Sequence, residues 1–124
     1  MRLIADISTH SDYISIRCKG RFLCDEDMES VARNVVALHP TPTLVLVDLS
    51  QLDSIHNTHV GLLWLRYMEA NARGWKLAFV RMPDHLYALL RDCGLEDSLP
   101  AFESETHAVR AFTRGLAHTA RAAS

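Results

Sequence analysis

The spacing of hydrophobic positions changes several times along the chain, and each change marks an element. Over 13–19, Ile14, Ile16 and Cys18 alternate with Tyr13, Ser15, Arg17 and Lys19. A period of two with one polar face predicts a half-exposed strand. A second strand is predicted over 2–8, and the polar turn Thr9-His10-Ser11-Asp12 joins the two. So short a link makes the pair antiparallel, because a parallel return needs a long crossover. From Asp25 the period lengthens. Met28, Val31, Ala32, Val35 and Val36 fall at i, i+3, i+4, i+7 and i+8, the apolar stripe of an amphipathic helix. Asp25 is placed to cap it, and Pro40 stops it after His39.

The run Thr43-Leu44-Val45-Leu46-Val47-Asp48-Leu49 is apolar on both faces, which predicts a central strand covered from both sides. A polar stretch, 50–54, reads as the turn after it. A second helix follows, with Val60, Leu63, Trp64, Tyr67 and Met68 as its core stripe and Gly74 as its stop. Lys76 to Val80 is the next buried strand. Pro83 opens a third helix lined by Leu86, Leu89, Leu90 and Cys93, and Gly94 closes it. Leu99-Pro100-Ala101-Phe102 suits a short edge strand, since proline cannot join a central ladder. Ser104 caps a last helix carrying Ala108, Val109, Phe112 and Leu116. The order β-β-α-β-α-β-α-β-α predicts one α/β domain over 1–118, with a frayed tail at 119–124. Its sheet is mixed but mostly parallel, with 4–5 strands, an antiparallel N-terminal hairpin and about four helices.

Composition narrows the function. The chain has 124 residues, 48% hydrophobic and 23% charged, which suits a single globular domain. No apolar run approaches the roughly 18 residues of a membrane span, so no membrane insertion is expected. Asp6 interrupts the start before a signal-peptide core can build, so a cytoplasmic protein is expected. The net charge is −2 and the arginines are scattered singly, so nucleic acid is not an expected partner. Cys18, Cys24 and Cys93 form no CxxC pair, which argues for a reduced compartment and against a disulfide framework or a zinc site.

In sheets of this kind function gathers beyond the carboxyl ends of the strands, here 20–25, 48–59 and 80–84. No GxGxxG, GxxxxGK[ST] or GxSxG sequence is present, so neither phosphate-cradling loop nor nucleophile elbow is expected. His56 and His59 lie three apart but lack an HExxH context or a cysteine partner, so no metal is expected. No cofactor is expected either, and no recognisable acid–base or nucleophile set marks an enzyme. A receiver-type role for Asp48 would need an acidic pair after the first strand and a late lysine. Both are missing, and Asp48 reads as the cap of the following turn. Asn57 or Thr58 is the N-cap of the second helix. The same geometry admits a second use, because a phosphate on Thr58 would meet free N–H groups and the positive end of the helix dipole.

From Leu44 to about Phe112 the chain resembles the STAS family, the domain of anti-sigma factor antagonists and of sulfate transporter tails. That family's line runs strand, Asp-Leu-Ser, turn, Ile-Asp-Ser-Ser-Gly-Leu-Gly, then a helix ending in glycine. Here Val45-Leu46-Val47-Asp48-Leu49-Ser50 is followed by Ile55-His56-Asn57-Thr58-His59-Val60-Gly61, and then by Gly74-Trp75-Lys76-Leu77-Ala78-Phe79-Val80. Leu89-Leu90-Arg91-Asp92-Cys93-Gly94-Leu95 is similar to the family's later Leu-Leu-x-x-x-Gly-Leu segment, and Ile16 to Phe22 to its strand ending in glycine. The resemblance implies a regulatory protein-binding module. It docks a serine/threonine kinase-type anti-sigma factor, and phosphorylation of Thr58, at the family's second serine, releases the partner. His56, Asn57 and His59 replace the family's acid, first serine and glycine. The implied docking residues are Ile55, His56, Asn57, Thr58, His59, Val60 and Gly61, joined by Phe22, Asp25 and Met82 at neighbouring strand ends. The alternative is a non-phosphorylated subunit of a lipid-transport type ATPase complex, or a stress-signalling scaffold. Homo-oligomerisation stays open.

Overall fold

The alternating and helical periods become a five-stranded sheet and four helices in the computed structural model, which describes residues 4–10, 13–22, 25–38, 43–55, 57–95 and 97–113. In chain order the elements are β1 (Ile4–Thr9), β2 (Tyr13–Phe22), α1 (Asp25–Leu38), β3 (Leu44–Ile55) and α2 (Asn57–Ala72). They continue with β4 (Lys76–Val80), α3 (Asp84–Asp92), β5 (Ala101–Phe102) and α4 (Glu105–Thr113). The sheet order is β1-β2-β3-β4-β5, the order of the chain itself. β1 and β2 are antiparallel, with Ile7 opposite Ile16, and every later neighbour is parallel.

Both faces of the sheet are covered, which is why the central strands read as unbroken apolar runs. Val45, Val47, Ile14, Ile16 and Phe79 face a core closed by Val35 of α1, Val60, Leu63 and Tyr67 of α2, and Leu86 and Leu90 of α3. Leu46, Ala78 and Val80 face the opposite way, against Ala108 of α4. The predicted punctuation holds at the last two helices. Pro83 is the N-cap of α3 with φ −69°, and Gly94 follows that helix with φ 73°. Ser104 Oγ accepts a hydrogen bond from the His107 backbone N–H at 3.2 Å, so Ser104 does cap α4.

Three expectations need correction. The stretch 50–54 is not a turn, because β3 continues to Ile55. Its pairing with β2 slips twice, between Arg17 and Lys19 and between Gly20 and Arg21. At each slip β3 carries one residue more than β2, which is a β-bulge. Strict alternation would put Leu52 on the face opposite Leu49. The two extra residues instead return Leu49, Leu52 and Ile55 to the same core. Second, Met68 of α2 is 45% exposed and Val36 of α1 is 49% exposed, although both belong to predicted core stripes. Third, Cys93 is exposed, while Cys18 is buried as expected. Leu116 and the tail at 119–124 lie outside the described residues, as does Cys24.

Candidate protein-docking site

The bulged half of β3 positions the loop that the sequence singles out. β4 ends against Asp48, with Val80 as its last described partner, so beyond that rung the ladder joins β3 to β2 only. Lys19 pairs with Gln51, Gly20 with Leu52 and Phe22 with Ile55. Gly20 has φ 90°, a conformation that side chains with a Cβ rarely adopt, and it stands where the second slip begins. The register thus sets the backbone of Phe22 beside that of Ile55. α1 opens at Asp25 and α2 at Asn57, so both helices start from this end of the sheet.

The named residues divide by role. Ile55 and Val60 are core residues, and Met82 is buried with them, so these three fix the backbone rather than present a surface. Gly61 is exposed, and a Cβ added there would meet no atom within 4 Å. Asn57, Thr58 and His59 form the first turn of α2, which places Asn57 and Thr58 inside the helix rather than at its N-cap. Their backbone N–H groups are among those a helix leaves without internal partners. His56 lies outside the described residues.

Two residues that the sequence reading assigned elsewhere or passed over join this surface. Leu65 is 43% exposed and Met68 is 45% exposed, at i+4 and i+7 from Gly61. Gly61, Leu65 and Met68 make an apolar stripe on the solvent side of α2, starting one turn after Thr58. The signal was present, since Leu65 is apolar yet lies off the stripe of Val60, Leu63 and Tyr67. A helix with apolar residues on two faces has one more than its own core uses.

A second constellation lies on the α4 side of the sheet. Asp48 is 1% exposed, and it is the buried charged residue among the described ones. Its Oδ2 accepts from Arg81 Nε at 3.1 Å and from Arg81 Nη2, with Arg17 Nε at 3.6 Å, while Oδ1 accepts from the Ser50 backbone N–H at 2.9 Å. Burial alone would push the Asp48 carboxyl up. The bonds from Arg81 and Ser50 outweigh it and hold the group below the ordinary carboxylate range. Arg81 has φ 51°, which among the described residues no other non-glycine matches in sign. Its bonds to Asp48 and that of its backbone N–H to Phe102 O at 3.1 Å hold this left-handed backbone in place. Near them the Cys18 thiol is pushed up to about 12 by burial and by the Asp48 charge, so it is not a nucleophile at neutral pH. Among the described residues no three His, Cys, Asp or Glu side chains gather as a metal site, and no helix is long and apolar enough to cross a membrane.

The family model described as "Mlab, STAS domain" matches residues 7–101. This chain belongs to that STAS family. Its fold is similar to that of the anti-sigma factor antagonist SpoIIAA in its unphosphorylated form, at 14% identity and TM-score 0.66, over 93% of this chain and 100% of that one. It is also similar to the protein TM1081, at 15% identity and TM-score 0.71 over 87% of each chain. An uncharacterized DUF3478-family protein with a SpoIIAA-like fold, from Shewanella loihica PV-4, matches at 19% identity and TM-score 0.51 over 87% of this chain and 91% of that one. No curated protein sequence matches the chain. At these identities the structural likenesses establish the STAS fold and leave the function to the residues.

Proposed function

We propose that this STAS domain is a regulatory docking module. It engages a kinase-type anti-sigma partner through the first turns of α2, and phosphorylation of Thr58 switches the contact off. One observation carries the reading: the exposed stripe of Gly61, Leu65 and Met68 begins one turn after a threonine in the first turn of the same helix. Apolar side chains that the core does not use suit an interface, and a glycine lets a partner backbone come close. The proposed face takes in Phe22 and Asp25, whose backbones lie at the same end of the sheet, and Asn57 and His59 in the first turn of α2. Transfer of the γ-phosphoryl group from the kinase's ATP to the Thr58 hydroxyl would add about −1.5 to −2 charges to this surface. Desolvating such a dianion against an apolar contact costs about 3 kcal/mol, roughly a hundredfold in affinity.

A second reading is a constitutive subunit of an ATPase complex. It is favoured by the loss of the family's acid, first serine and glycine at His56, Asn57 and His59, which changes what a kinase would meet. The test is intact-mass measurement of the protein from its native cell, followed by identification of the co-purifying partner. Binding of that partner to Thr58→Asp and Thr58→Ala variants is then compared. A kinase-type partner that binds Thr58→Ala but loses about a hundredfold on Thr58→Asp supports the switch. Equal binding of both variants overturns it, and an ATPase partner indifferent to both selects the second reading.

A further inference from the structure

Between α1, α2 and the sheet lies a cavity of about 310 Å³. Its floor is Ile16 of β2, Val45 and Val47 of β3, and Leu77 and Phe79 of β4. One wall is the apolar stripe of α1, and of its described residues only Val35 is fully buried. Ala32 is exposed and Val36 is half out of the protein, yet both line the cavity. Protein interiors normally close apolar gaps of this size with side chains. Here the described side chains leave room equal to about ten waters of liquid volume, with apolar walls that offer water few partners.

The rim is charged in a definite way. Arg33, Arg66 and Arg73 line the opening with Glu29 and Glu69. Arg66 bonds Glu29 at 3.1 Å and Glu69 at 3.1 Å, so both carboxylates are gathered on one guanidinium. Arg33 and Arg73 are exposed, and among the described residues no ion pair engages them. Among the described lining residues, three guanidinium groups stand against two carboxylates.

We propose that this cavity binds a single-chain amphipathic carboxylate, its hydrocarbon on the apolar floor and its head at the Arg33 and Arg73 rim. The volume stands at the lower end of small-ligand sites and suits one medium-length chain rather than a two-chain lipid. The surplus positive charge selects an anion over a cation or a neutral alcohol. This site is independent of the docking role of α2, and neither depends on the other.

Decanoate is the probe and decanol its neutral control. Trp75 lines the cavity, so its emission in a Trp64→Phe background reports entry. Decanoate is expected to bind saturably below its micelle threshold, with a dissociation constant on the order of 100 μM and a blue shift of Trp75. Ala32→Phe and, separately, Val36→Phe fill the opening from exposed positions and are expected to abolish binding while thermal unfolding stays cooperative. Arg33→Gln with Arg73→Gln is expected to weaken decanoate about tenfold and leave decanol unchanged. No saturable binding, binding that survives both filling variants, or equal retention of acid and alcohol by the arginine double variant overturns the proposal.

Discussion

Asp48 is the residue on which the α4 side of the sheet turns, and its two arginines are not equal. Arg81 bonds it through two nitrogens, whereas Arg17, with a side chain as exposed as that of Arg81, approaches through one nitrogen at 3.6 Å. Arg81→Met leaves a buried carboxylate with the weaker partner and is expected to cost roughly 2–4 kcal/mol, against less than about 1 kcal/mol for Arg17→Met. Urea unfolding of both variants at neutral pH checks this order. The pH dependence follows from the lowered Asp48 carboxyl. A folded value below the unfolded one of about 3.9 gives stability that is fully present above that value. It is lost as pH falls through the folded value. Asp48→Asn is expected to flatten this acid limb, as measured by urea midpoints from about pH 7 down to about pH 3. At Gly61 the expectation has the opposite sign. Gly61→Ala meets open space and replaces a poor helix former, so stability should rise by about 1 kcal/mol in thermal unfolding.

Among the elements, β3 carries the most design in the least regular form. Ile55→Ala removes the core side chain that the second slip brings back beside Leu52. The expected loss is roughly 2–5 kcal/mol, read by chemical denaturation, with α2 frayed at its start in amide exchange. This strand also shows where the sequence stops being legible. The hairpin, the start of α2 next to Ile55, the Pro83 and Gly94 limits of α3 and the Ser104 cap all follow from local chemistry, and local chemistry is what a pattern records. The polar run Ser50 to Ser54 looks like a turn because two bulges break the period that marks a strand. The stripes of α1 and α2 are legible too, but a stripe says which face is apolar and not whether a neighbour covers it, hence Val36 and Met68. Asp48 and Arg81 stand 33 residues apart and meet only because β3 and β4 are adjacent, a fact of topology rather than of spacing. The junction of β3 and α2 was therefore readable, and along α2 Leu65 stood out as apolar off the core stripe, while the exposure of Met68 did not show.

At the scale of the whole molecule the cysteines report how the structure opens. In a Cys24→Ser background, Cys93 should react with a maleimide within seconds at about pH 8, since it is exposed. Cys18 should wait for unfolding, because burial and a thiol value of about 12 leave roughly one thiolate in ten thousand. Its labelling rate should rise with urea in step with loss of ellipticity. A last consequence follows from a sheet whose strand order is the chain order. No strand has to be threaded between two already in place, and each newly made strand meets an edge that its predecessor has just supplied. Pairing partners are separated by a single crossover, so the cost of closing each loop stays small. A ribosome delivers the chain N-terminus first, and this topology lets assembly advance in the same direction, beginning from the β1–β2 hairpin. The unfinished chain would then carry a partly built sheet with one growing edge, and the two-residue β5 is the short strand that finishes it.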